Sequence, residues 1–145
     1  MPVDNTAVEI RAALERAGVE VFREDDSGLF IAERVRLHLM DSGVRVCADE
    51  TPRVEFIARC QESDCGPGSD GELLDFVRSA VGSAALARGF AEAGACRKEI
   101  RDPMDDERVL DVWHQVTYAK PAPNAQDVVQ AVRWALDLEK CVTAV

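Results

Sequence analysis

The residues of this chain best suited to chemistry are its thiols and imidazoles: Cys47, Cys60, Cys65, Cys96, Cys141, His38 and His114. Cys60 and Cys65 flank the polar stretch Gln61-Glu62-Ser63-Asp64, a spacing that suits a metal ligand pair or a reversible disulfide. A structural zinc needs four converging thiolate or imidazole ligands, and the chain holds neither a second close cysteine pair nor a His-x-x-x-His pair. Buried, inert thiols are therefore expected, with no metal and no cofactor. A Cys–His nucleophile would need one of the two histidines. His38 falls on the polar face of its strand pattern beside Arg34 and Arg36, whereas His114 falls on an apolar face and reads as a hydrogen-bonded core residue. Neither has a nucleophile or orienting group close in sequence, so no catalytic residue is assigned.

Among the carboxylates, Glu33 and Asp111 stand out because each interrupts an apolar strand pattern. General acid–base work needs a carboxyl with a raised pKa in a dry pocket. Pairing with Arg36 or Arg108, or an outward-facing position, explains them more simply. Gly66-Pro67-Gly68-Ser69 precedes a helix but lacks the Gly-Lys-Ser/Thr ending of a phosphate-binding loop. If a pocket lies between sheet and helices, Glu33, Cys96 and His114 are its polar candidates. Trp113 and Trp134 are large apolar groups beyond what periodicity requires, and they are the candidate partner-binding residues.

The elements that must position these groups follow from periodicity. Thr6 and Glu9 have the form of a capping box, Ile10, Ala13, Leu14 and Ala17 recur at helical spacing, and Gly18 supplies a left-handed stop. Strand patterns then run through Val19–Val21, Leu29–Met40, Val44–Val46 and Val54–Cys60, with Asp41-Ser42-Gly43 read as a tight connection and a bulge expected near Glu33. A helix is predicted from the second capping box at Ser69–Glu72, with a kink or break at Gly82-Ser83, continuing over Ala84 to Ala93 and ended by Gly94. Cys96–Arg101 and Val109–Ala119 read as a hairpin around Asp102–Asp106, with His114 and Trp113 on opposite faces. Pro121-Ala122-Pro123 stops the pairing, Asn124 caps, and Ala125–Lys140 form the last helix. The fold class is α+β: one domain, residues 1–145, with an antiparallel sheet packed by three to four helices in the order α-β-β-β-α-β-β-α.

At 145 residues the chain can bury a real core. A net charge of −10 without a Lys/Arg cluster argues against nucleic-acid binding. Most of the acidic excess falls in expected turns, where it serves solubility. No apolar run is long enough to cross a membrane, and Met1–Asn5 has no signal-peptide character, so a cytoplasmic location is expected.

In element order, acidity and size the chain resembles the type III secretion chaperones and the bacterial YbjN family. That resemblance implies a small cytoplasmic homodimer, without enzymatic activity, that binds another protein or peptide on its helix and strand surfaces. It rests on no residue motif, so it transfers no site residues. The leading expectation is a protein-interaction module, with the edges of Leu29–Met40 or Val109–Ala119 free to pair with another chain. Alternatives are a small ligand-binding protein or enzyme, and an acidic inhibitor of a basic or nucleic-acid-binding protein.

Overall fold

The computed structural model describes residues 6–26, 28–33, 40–48, 51–66 and 70–143. In chain order these form α1 (Thr6–Arg16), β1 (Arg23–Asp25), β2 (Gly28–Glu33), β3 (Met40–Cys47), β4 (Arg53–Gln61) and the single turn α2 (Glu62–Cys65). Then come α3 (Asp70–Ala87), β5 (Ala91–Asp102), β6 (Asp105–Pro121) and α4 (Ala125–Thr143). The strands make one antiparallel sheet in the order β1-β2-β3-β4-β6-β5. This is the α+β class expected, with four strands rather than three before the central helices.

Alternation along the strands divides the sheet. Val44, Val46, Val54, Phe56, Ala58, Cys60, Val116 and Tyr118 project to one side and are buried. They meet Ile10 and Leu14 of α1, Val77 and Val81 of α3, and Val128, Val132 and Leu138 of α4 in one apolar cluster. The intervening residues project to the opposite side, away from these helices. Among the described residues no helix is long and apolar enough to cross a membrane.

Two glycines set the helix ends. Gly18, with φ of +80°, lets Val19 N–H donate to Leu14 O at 2.9 Å and closes α1 as expected. Gly89, with φ of +84°, does the same for α3, Phe90 N–H donating to Ala85 O at 2.9 Å. The second helix therefore stops at Ala87 instead of running to Ala93. Ala91 to Ala95 favour a helix by composition, but their backbone pairs with β6, and the sheet wins over propensity. Helix α3 also passes through Gly82-Ser83 without a break.

Asp41-Ser42-Gly43 is the other correction. These residues lie inside β3, in register with Arg59, Ala58 and Ile57. A polar triplet of this kind reads as a turn, yet here each polar side chain finds a distant partner: Arg59 Nε donates to Asp41 at 2.6 Å and Ser42 Oγ to Glu139 at 3.5 Å. Val19 and Val21 pack on the core without forming a strand, and the first strand is Arg23–Asp25. The expected bulge near Glu33 occurs two residues earlier, as a register shift between Phe30 and Ala32. His38 and the central part of Leu29–Met40 lie outside the described residues, as do Pro67-Gly68-Ser69.

Candidate functional site

The face turned away from the helices is a charge network. Glu55 on β4 is only 6% exposed, although it lies on the side of the sheet turned away from the described helices. Its carboxylate accepts from Arg45 on β3, by Nε at 2.9 Å and also by Nη2, and from Arg53 Nε at 3.3 Å. Burial pushes the Glu55 carboxyl up, but the two arginines outweigh it and hold the group below the usual carboxylate range. Four residues further along the same two strands, Asp41 holds Arg59, and the Arg59 guanidinium lies 4.5 Å from the centre of the Trp113 ring. Lys98 of β5 approaches the same ring at 5.9 Å, so Trp113 packs within a cationic frame. A shallow depression of about 100 Å³, lined by Phe30, Gly43, Ile57 and Gln115 among others, opens on this face.

At the end of the sheet, α2 closes over the helix-facing side. His114 is fully buried there and its Nε2 lies 2.8 Å from Glu62 Oε2. Cys60 stands in register with His114, and burial together with neighbouring Cys65 pushes its thiol up to about 12. A thiol so far from ionising is a poor nucleophile. Among the described residues no three His, Cys, Asp or Glu side chains converge as metal ligands would. Asp111 fastens the same turn. Its carboxylate accepts from Ser63 N–H at 3.1 Å, Ser63 Oγ at 2.8 Å and Val112 N–H at 2.8 Å. Burial opposes ionisation here too, and these bonds outweigh it. Asp111 is therefore a clamp on α2 and makes no ion pair with Arg108, which reaches toward Asp102.

The polar candidates do not converge. Cys96 is exposed on β5, in register with Gln115, whereas His114 is buried on the opposite, helix-facing side. Glu33 ends β2, two strands away from β4, in register with Gly43. The two tryptophans are also far apart in the fold. Trp113 sits half-buried on the charge-network face, and Trp134 sits half-buried on α4, its ring 5.2 Å from Lys120 Nζ.

Two surface features had no signal in local sequence. First, the outer strands among the described residues are the three-residue β1 and the long β5, because β2 lies between β1 and β3 and β6 lies between β4 and β5. Of the expected edges, Leu29–Phe30 and Trp113–Ala119 have a strand on either side, whereas Ala32–Glu33 pair with β3 alone and Val109–Val112 with β5 alone. Second, β4 ends at Gln61 opposite Trp113, so the β5–β6 hairpin continues past the sheet as a two-stranded arm. Its register slips twice, between Ile100 and Arg101 and between Arg101 and Asp102, and it presents Met104, Val109 and Leu110 at 92%, 41% and 51% exposure.

No protein-family model, curated protein or solved structure matches the chain.

Proposed function

We propose that this chain is a non-enzymatic protein-interaction module, chaperone-like in the sense of the type III secretion resemblance, cytoplasmic, and acting as a homodimer. The observation that carries the reading is the projecting β5–β6 arm. A two-stranded ribbon without a third strand is marginal in water. Here its tip also exposes Met104, Val109 and Leu110, half of the large apolar residues described as exposed. Apolar side chains gathered at the end of such an arm favour a covered state.

A second copy is the partner best suited to the arm. The tip mixes both signs of charge: Arg97 and Arg101 each bond Glu99, and Arg108 faces Asp102. Such a surface can complement itself across a two-fold axis. The long exposed edge of β5 offers backbone groups beside it, as β-strand addition requires. The enzyme alternative loses support because its polar candidates occupy separate places. The inhibitor alternative loses support because Asp41, Glu55, Glu92 and Glu99 each hold an arginine and are not displayed as a row of free charge.

Sedimentation equilibrium tests the proposal. The expected result is a dimer that Met104→Asp combined with Leu110→Asp converts to monomer, with helix and strand content unchanged by circular dichroism. A wild-type monomer at high micromolar concentration, or a double variant that stays dimeric, would overturn the arm as the interface.

A further inference from the structure

The distribution of arginine and lysine partners is uneven. Most described cations lie within reach of a carboxylate, including Arg11, Arg45, Arg59, Arg78 and Arg101. Arg16, Arg88, Lys98, Lys120 and Arg133 do not figure in any carboxylate pair among the described residues. Arg88 is committed to the Ala84 carbonyl and Lys98 to the Trp113 ring. Lys120 likewise lies over the Trp134 ring, at 5.2 Å. Arg16 and Arg133 remain; both line one surface groove, and Lys120 with Trp134 bounds its continuation.

That surface is built from three distant segments. Between α1 and α4 runs an open groove of about 410 Å³, with Ala13, Ala17 and Val129 as its floor and Arg16, Arg133 and Gln130 on its walls. At Gln130 it meets a second depression of about 310 Å³, bounded by Lys120, Trp134, Pro121 and Pro123. One carboxylate, Asp127, lies along it, and that group is engaged with Asn124 in the cap of α4. In a chain of net charge −10 this is a cationic, partly apolar strip.

We infer that the strip is a docking groove for an acidic, extended segment of a partner protein; the inference rests on the reading of the chain as an interaction module. Charge complementarity selects the occupant. Arginines with no internal partner offer their forks to carboxylates. The Trp134 ring and the two prolines give flat apolar contact for the segment's backbone and aliphatic stems. Gln126 and Gln130 supply donors and acceptors for its peptide groups. From Gln126 to Arg133 the helix rises about 10 Å, a length matched by about three residues of extended chain. Recognition of so short a stretch by exposed cations is weak and salt-sensitive, as suits a reversible contact.

Calorimetric titration of the full chain with a capped hexaglutamate peptide tests this, alongside capped hexaglutamine and a hexathymidylate oligonucleotide. Saturable binding of hexaglutamate at low salt is expected, at least tenfold weaker for Arg16→Gln combined with Arg133→Gln, and several-fold weaker for Trp134→Phe. Hexaglutamine is expected not to bind. All three substitutions are at exposed or half-exposed positions, and thermal melting checks that the fold persists; Lys120→Gln, expected to weaken binding several-fold, is a further probe. Absence of hexaglutamate binding, equal binding by the double variant, or tighter binding of the oligonucleotide would overturn the inference. A dimer that ignores the peptide would refute the groove and leave the arm as interface intact, whereas a monomer that binds it would support the groove and refute only the homodimer through the arm.

Discussion

The two faces of the sheet use the same strands and opposite rules. On the helix side Val44, Val54, Phe56 and Val116 are packed against helices and essentially inaccessible. One residue along each strand, the other side carries Arg45, Arg53, Glu55 and Arg59, tied by ion pairs and aromatic contacts. The helix side gains from removing apolar surface from water. The other side buries carboxylates that are tolerable only while their arginines remain. Apolar packing of the first kind carries no charge to titrate or screen, while ion pairs of the second kind depend on both pH and salt.

The comparison can be broken first on the helix side. Phe56→Ala should cost about 3–5 kcal/mol in chemical denaturation, since the ring is fully enclosed and its neighbours cannot collapse around the gap. On the other side Glu55→Ala should cost about 1–2 kcal/mol, less because Arg45 and Arg53 keep partial access to water. The two variants should also separate by pH. The Glu55 carboxyl is lowered in the folded state, so its contribution is fully present above its unfolded value of about 4.3 and lost as pH falls through the folded one. Stability measured from about pH 5 to pH 2 should therefore fall less steeply in Glu55→Gln than in wild type, and equally steeply in Phe56→Ala. Parallel curves for Glu55→Gln and wild type would remove the distinction drawn here.

The smallest effect sharpens it. Tyr118 brings its hydroxyl into the apolar side, where none of the described residues hydrogen-bonds that oxygen. A methyl group added at Gly82 would sit 3.4 Å from it, close to ordinary contact. Gly82→Ala in the middle of α3 should then raise stability by about 0.5–1 kcal/mol through helix propensity alone. A loss in the thermal melt would mean that α3 cannot give way by the few tenths of an ångström required.

What could be read in advance was local. The stop at Gly18, the Asn124 cap, and the opposite facing of His114 and Trp113 each depend on a few neighbouring residues, and each is found as expected. Asp41-Ser42-Gly43 failed because its partners, Arg59 and Glu139, are distant in sequence. Beta5 began earlier than expected because Gly89 ends α3 and β6 supplies pairing that composition does not reveal. Nothing in the residues beside Glu55 marks it as buried, and only the register with Arg45 places it inside an ion-paired cluster. The groove beside Trp134 was invisible for the same reason: the arginine at 16 and the lysine at 120 line depressions that adjoin at Gln130 only through the packing of α1, α4 and β6. The tryptophan itself was legible, but its setting was not.

The arm beyond Gln61 and Trp113 has a consequence for how such a protein can change over generations. There β6 has no third strand beside it, and the core lies behind. Adding two residues to each strand of the hairpin would lengthen its reach by about 7 Å and keep every side chain on its face, without moving a buried side chain. One residue added to each strand would lengthen it by about 3.4 Å and turn the tip over, because side chains alternate with a period of two. Reach can therefore drift alone by even insertions per strand, and together with facing by odd ones, while the rest of the chain stays under the constraint of its packing.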